Sequence, residues 1–378
     1  GKDLKKAKYH IFSSTEHPNI NEGYYLKFDD NYQLYFYLLE NQPDDFENAE
    51  IIQLNQTDFI KKNLKNNTYR FEFYGGNDYP VDENGHPKTF EELAKGTSFD
   101  RLGILRMDVD NLGKIFAEGF APELRTFSRL TSLSRNLDFF FKGYLNTIWN
   151  KEEEEYNKDT YILYSGGDDL FVLGRWDKII NFAYDVKEAF QKFTNSTEFG
   201  ITGGIAIEKP KFPIRRGALN AGTLEHKAKD FCIEKNKVDE QYKKPYQKNA
   251  FALFGVPLSW QSDFEKVKEL KEQILKFLKD KSLPHSFINK LKLLYIMQQH
   301  QINHKQNESW RWICAYNLKR TTEYIQHQEV KDWINLLKTS IFTDSYNQTP
   351  LNSNHTFLKL LTIAARWAEL EHKTETNN

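Results

Sequence analysis

Residues 161–174 read Tyr-Ile-Leu-Tyr-Ser-Gly-Gly-Asp-Asp-Leu-Phe-Val-Leu-Gly, two apolar runs flanking the turn Ser165-Gly166-Gly167-Asp168-Asp169. The runs predict two strands and the glycines a tight hairpin, because glycine takes positive φ without steric cost and lets a phosphate approach the backbone. Two neighbouring carboxylates at such a turn repel each other unless a cation sits close by. Taken alone, the segment reads equally well as an ordinary hairpin, since Gly-Gly and Gly-Asp are common turn pairs.

Working outward, residues 101–109 (RLGILRMDV) form a strand candidate with apolar Leu102, Ile104 and Leu105 that ends in Asp108-Val109-Asp110. A long helical stretch follows, with Leu130, Leu133, Leu137, Phe140, Phe141 and Tyr144 spaced for one buried face. After the hairpin come an amphipathic helix (DKIINFAYDVKEAFQKF), a strand (GITGGIAIE), a second helix (IRRGALNAGTLEHKAKDF) and a closing strand (NAFALFGVPL). The order β-α-α-β-β-α-β predicts a ferredoxin-like palm of the polymerase and cyclase type. Such a sheet brings Asp108, Asp168 and Asp169 to one cluster. Oxygen donors of this kind suit two Mg²⁺ or Mn²⁺ ions, with the Val109 carbonyl as a further ligand. A pair of ions can activate a hydroxyl and stabilise departing pyrophosphate. Asn111, Gly113 and Lys114 open the next helix, where backbone N–H groups can hold triphosphate oxygens; a plain N-cap turn is compatible with this. Lys229, late in the second helix, could neutralise a β- or γ-phosphate by projecting towards the hairpin, although helix lysines usually face solvent.

The rest of the chain frames this palm. Residues 1–97 are expected to be a β-rich segment, from YYLKFDD, YQLYFYLLE, AEIIQLN and YRFEFYGG, with the turn-rich stretch 77–88 as linker. Residues 98–258 are the expected palm, and 259–378 an all-α domain in an α+β protein. In the last part Phe264, Val267, Leu270, Ile274, Phe277 and Leu278 make one apolar stripe, and WINLLKTSIF and TFLKLLTIAARWAELEH supply later ones. Residues 265–292 carry eight lysines against four acidic residues. Trp310, Arg311, Trp312, Tyr316 and Arg320 offer groups that could stack on RNA, or form a buried aromatic core with a solvated face. Glu152–Glu155 reads as a solvated loop.

Composition narrows the function. The 378 residues suffice for two or three domains, and the formal net charge of −1 excludes a whole-chain basic field. Two distant cysteines, Cys232 and Cys314, provide neither a disulfide framework nor a zinc cluster, which fits a reducing cytoplasm. The sequence has no run of 18 apolar residues, so no membrane partner is expected. It also lacks a His-Asp dipeptide, a nucleophile elbow and a P-loop. The chain starts at Gly1 rather than Met, which leaves a tag scar and an upstream continuation both open.

The runs LGILRMDVDNLGKIFAEGF, LSRNLDFFF and YILYSGGDDLFVLG resemble the large polymerase-like subunit of type III CRISPR interference complexes, of the Csm type. GKDLKKAKYH, FEELAKG, NAFALFGVPLSW and IAARWAELE extend the resemblance over nearly the whole chain. More distantly the palm is similar to GGDEF cyclases, with Asp168 at their metal-binding third position and Ala228-Lys229 at the Ala-Lys ending their last helix. The resemblance implies an antiviral-defence enzyme that converts ATP to cyclic oligoadenylate second messengers when target RNA is bound, by metal-dependent 3′-5′ phosphoryl transfer. It raises Lys229 to a phosphate ligand and puts Ser165, Gly166 and Gly167 beside the nucleotide. The implied partners are other subunits of the complex, including the small subunit that the helical end resembles, and the guide and target RNA. The family's nuclease-like domain, first palm and cysteine-rich zinc linker are not visible, so the chain reads as a C-terminal half. A stand-alone diguanylate-type cyclase is the alternative, weakened by Asp169-Leu170 where those enzymes carry Glu-Phe; a non-catalytic nucleotide- or RNA-binding scaffold is the other.

Overall fold

Aromatic and aliphatic residues dominate the amino-terminal strands, and Thr68–Glu72 (TYRFE) alternates them with polar ones. A computed structural model describes residues 7–16, 23–27, 33–41, 46–54, 67–72, 79–96, 99–196, 199–236, 248–303, 309–346 and 357–375. The opening residues 1–6, the expected strand continuation at 73–76 and the expected boundary at 97 and 98 lie outside them. Five strands, β1 (Tyr9–Ser13), β2 (Gly23–Lys27), β3 (Gln33–Leu39), β4 (Glu50–Leu54) and β5 (Thr68–Glu72), form a sheet of order β2-β3-β1-β4-β5. Central β1 has no counterpart among the expected strands. It is antiparallel to both neighbours, and Ile11 meets Tyr37 on β3 and Ile51 on β4. Those three side chains pack with Phe46 and Ala49 as a buried cluster.

The second sheet has six strands: β6 (Leu102–Val109), β7 (Thr160–Gly166), β8 (Asp169–Arg175), β9 (Ile201–Glu208), β10 (Ala250–Leu253) and β11 (Val256–Ser259). Its order is β11-β10-β9-β6-β8-β7. Four consecutive strands, β9-β6-β8-β7, reproduce the ferredoxin-like arrangement expected from the element order. The closing segment differs from the single strand expected. Phe254 (φ 50°) and Gly255 (φ 80°) turn it into the hairpin β10–β11, because two successive positive-φ residues make a primed two-residue turn.

By internal contacts the chain divides into two compact units: residues 1–88, 107–173 and 181–199, and residues 89–106, 174–180 and 200–378. In the first unit, the expected single helical face is interrupted. Helix Phe127–Asp138 runs into an i→i+5 turn, Phe139–Tyr144, before regular winding resumes at Leu145–Trp149. The wide turn takes up one extra residue. Leu145, Ile148 and Trp149 therefore continue the face begun by Leu137, Phe140 and Phe141, whereas Tyr144 is 45% exposed.

In the second unit, helix Ile214–Asn236 lies on the sheet, with Leu224, Ala228 and Phe231 packed against Ala250 and Ala252 of β10. After a turn at Trp260–Phe264 come helices Glu265–Lys279, His285–Asn303, Ser309–Tyr324, Gln328–Tyr346 and Phe357–Glu375. All six residues of the stripe read from Phe264 to Leu278 are buried. Of the aromatic–arginine group, Trp310 is core at 3% exposure, while Trp312 and Tyr316 are exposed. No helix of the described residues is long and apolar enough to cross a membrane.

The helix–sheet contact depends on Gly204 of β9. A Cβ there would lie 2.4 Å from the backbone nitrogen of Glu225 and 2.7 Å from the carbonyl carbon of Leu224. Neither backbone atom can swing aside. Gly204→Ala is expected to cost about 1–3 kcal/mol and to lower the midpoint of thermal unfolding; an unchanged midpoint would disprove this close approach.

Candidate active site

Gly167 and Asp168 form a two-residue turn between β7 and β8. Gly167 has φ 66° and Asp168 does not share the positive φ, the pattern of a II′ loop, which needs glycine at its first central position. Gly167 has nothing within 4 Å of where a Cβ would be, so open space lies beside the turn. Asp168 and Asp169 are half-buried.

β6 lies next to β8, and the amide of Val109 donates to the carbonyl of Asp168 over 3.0 Å. That one hydrogen bond brings the end of the Asp108-Val109-Asp110 strand against the turn. Asp108 and the hairpin carboxylates, about 60 residues apart in sequence, therefore belong to one neighbourhood in the first unit. Asp108 is half-buried, whereas Asp110 is 2% exposed and points into the protein. Asp110 follows the last residue of β6, where the strand pattern no longer sets its direction.

The chain leaves β6 through Asn111, whose φ of 56° is left-handed, a conformation asparagine tolerates better than most residues. Asn111 caps the helix Leu112–Glu118 without a side-chain cap bond. That helix has only two turns. Gly113 is exposed, and Lys114 Nζ lies 4.0 Å from Glu118. Ser165 is 8% exposed and its hydroxyl donates to the carbonyl of Phe141 over 2.5 Å, inside the wide helical turn. Its proton is committed there, so toward a nucleotide it offers only lone pairs. Lys142 lies beside the hairpin, its Cε 3.4 Å from where a Gly166 Cβ would stand, and pairs with Asp138 at 3.2 Å. Nothing in the sequence pattern marks Lys142, because the irregular turn sets its direction. Lys229 belongs to the second unit, where its ammonium is 2.8 Å from Glu225.

Among the described residues no three Asp, Glu, His or Cys side chains make a complete metal cage. The donor set is instead carboxylates and a backbone carbonyl on the Asp108 and hairpin segments. Mg²⁺ characteristically takes one or two protein carboxylates and fills its octahedron with waters and substrate phosphates. The residues fit a hard divalent cation that arrives with a polyphosphate. They do not fit zinc, which wants nitrogen and sulfur donors.

A ferredoxin-like sheet whose Gly-Gly-Asp-Asp hairpin is bonded to an Asp-x-Asp strand end defines a palm domain. Residues 101–239 match the family described as Cas10/Cmr2, second palm domain. A curated relative, the CRISPR system single-strand-specific deoxyribonuclease Cas10/Csm1 (subtype III-A) of Methanocaldococcus jannaschii, is 34% identical over 202 residues, 50% of this chain and 25% of the relative. Crystal structures of Csm1-Csm4 cassettes share the fold. One, in complex with pppApA, has TM-score 0.64 at 19% identity, covering 97% of this chain and 48% of that one. Another, in complex with cA4, has TM-score 0.63 at 19% identity, covering 91% and 46%. The chain is thus similar over its palm segment to Cas10/Csm1 proteins of subtype III-A, and it spans less than half the length of the solved Csm1 chains.

Ser165→Ala leaves the Phe141 carbonyl without its donor in a buried position. The substitution is expected to lower unfolding free energy by about 1–3 kcal/mol, read from urea denaturation. A loss under a few tenths would show that the hairpin is not anchored to the wide turn.

Proposed function

We propose that the chain is the catalytic-palm portion of a type III CRISPR effector subunit that joins ATP into cyclic oligoadenylates by 3′-5′ phosphoryl transfer. The observation that carries this reading is the Val109 N–H···O Asp168 hydrogen bond, which holds two acidic segments at one point of the sheet. The match of residues 101–239 to the Cas10/Cmr2 second palm domain supports it, as do the pppApA and cA4 with which the similar cassettes were solved.

In this reading Asp108, Asp168, Asp169 and the Val109 carbonyl are the oxygen ligands of two Mg²⁺ or Mn²⁺ ions. When bound, these supply Lewis-acid activation of the attacking 3′-hydroxyl and neutralise the leaving pyrophosphate. The chain's own residues orient the reactants. Gly166 and Gly167 carry no side chain, which lets a nucleotide lie against the turn, with Ser165 as a hydrogen-bond acceptor behind it. Asn111, Gly113 and Lys114 line the exit of β6 on the phosphate side. Lys229 is assigned to the polyphosphate through the resemblance of Ala228-Lys229 to the cyclases. The remaining partners proposed are the other subunits of the complex, its small subunit among them, and guide and target RNA, with the other half of the same subunit supplying the missing domains.

The test is to incubate the chain with labelled ATP or GTP and Mn²⁺, with the amino-terminal half and partner subunits supplied in trans. Asp168→Ala with Asp169→Ala is expected to lower oligoadenylate formation by at least about a hundredfold while leaving the circular dichroism unchanged. Undiminished product would refute the site, and preference for GTP would refute the choice of base in favour of a diguanylate-type cyclase.

A further inference from the structure

Helix Ser309–Tyr324, in the second unit, has two unlike sides. Trp310, Cys314, Leu318 and Thr321, three or four residues apart, are buried and make its inner stripe. The other side carries Trp312, Tyr316, Arg320 and Tyr324, one at every fourth position, so they stand along a single ridge of the helix. Trp312 is 81% exposed, Tyr316 61% and Tyr324 71%. Exposed apolar residues scattered singly are ordinary on a protein surface, but three aromatic rings in register on one helix are not scattered. The Arg320 guanidinium lies 5.9 Å from the centre of the Tyr324 ring, within cation–π reach, and its charge also interacts with Tyr316. The arginine therefore belongs to the row.

The spacing selects what such a row accepts. Four residues of α-helix rise about 6 Å, and side chains radiating from the axis open the gap further at their tips. A flat base with a ring on each side needs roughly 7 Å, twice the 3.4 Å step of a nucleic acid strand. Aromatic faces bind bases of any sequence, because every base has a π face, and a guanidinium plane does the same.

Charge selects the same occupant. Lys319 and Arg320 are exposed beside the rings, and Glu323 is the one acid of the helix. The neighbouring helix His285–Asn303 holds no Asp or Glu and exposes Lys292. The two helices are joined where Lys290 Nζ donates to the Thr321 hydroxyl over 3.2 Å. Lysine is depleted from protein–protein interfaces, whereas lysine beside aromatic rings is what a phosphate backbone with unstacked bases requires. The hydroxyls of Tyr316 and Tyr324 add groups able to bond a ribose 2′-hydroxyl, which DNA lacks.

We propose that the row Trp312, Tyr316, Arg320 and Tyr324 is a binding ridge for single-stranded RNA, with one base stacked between Trp312 and Tyr316, another on Tyr324, and Lys319 on phosphate. The ridge is independent of the nucleotide-joining chemistry and rests on the reading above only for its choice of RNA, to which it gives a place on the helical domain.

The test is to titrate the full chain into a short labelled single-stranded RNA of mixed sequence, reading fluorescence anisotropy over a range of salt. Trp312→Ala is expected to weaken binding about tenfold with the salt dependence unchanged. Trp312→Leu should be as weak, having no π face, and Trp312→Phe should recover most of the affinity. Lys319→Gln should make the slope of log affinity against log salt shallower by about 0.7. Both positions are exposed, so circular dichroism and thermal unfolding should stay as in the wild type. A wild-type chain that binds no single strand, or a Trp312→Ala chain that binds as well as the wild type, overturns the ridge. Wild-type affinity in Trp312→Leu overturns it in favour of an apolar docking face for a protein. Equal affinity for the DNA strand of the same sequence overturns the choice of RNA, and tighter binding of the duplex overturns base stacking. The chain carrying Asp168→Ala and Asp169→Ala should bind the RNA as the wild type does, so a failure of the palm chemistry and a failure of the ridge are read apart.

Discussion

Carboxylates repel, and a fold that gathers them must fix them by something other than their own attraction. Here the fixing is done by backbone. The Val109 amide and the Asp168 carbonyl hydrogen-bond across neighbouring strands, and the side chains on either side are carried along. Because the constraint lies in the peptide groups, it does not depend on the charge state of the acids. The acidic neighbourhood therefore exists in the folded chain by itself, and the acids can relax locally without losing their place.

The rest of the first unit serves that arrangement. Gly167 supplies the positive φ that closes the hairpin, Ser165 ties it to the wide turn, and Phe140 and Phe141 bury that turn against Phe190. The second unit keeps its charges in the opposite style. Glu225 and Lys271 are buried side chains paired with charged side chains, Glu225 beside Arg106 and Lys229, and Lys271 between Glu272 and Glu371 over the ring of Trp367.

Much of this was legible before any coordinates. The hairpin, the Asp108 strand, the ferredoxin-like order and the helical stripe from Phe264 to Leu278 all follow from period-2 or period-3.6 apolar spacing with glycine punctuation. What escaped has physical reasons. Strand β1 (YHIFS) is short and carries His10 at a half-buried position, so its pattern is weak. The β10–β11 turn uses Phe254 at positive φ, a residue that carries no turn signal. The wide turn at Phe139–Tyr144 breaks the helical period without a proline or glycine pair to announce it, and that break exposed Tyr144 and hid Leu145. At the site, the Asp108–Asp168 neighbourhood could be inferred from topology. The Arg106–Glu225 pairing could not, because over a hundred residues separate its members and either alone reads as a surface charge.

The wide turn also sets a rule about length. An α-helix rotates by about 100° per residue, so regular winding through this stretch with every residue kept would swing everything after it through roughly that angle. Leu145, Ile148 and Trp149 would leave the core, and the Trp149 indole would lose its bond to the Thr160 hydroxyl at the start of β7. Between the carbonyl that receives Ser165 and the indole that holds Thr160, the wide turn and the extra residue therefore belong together: losing both would keep the two anchors in phase, and losing the wide turn alone would not.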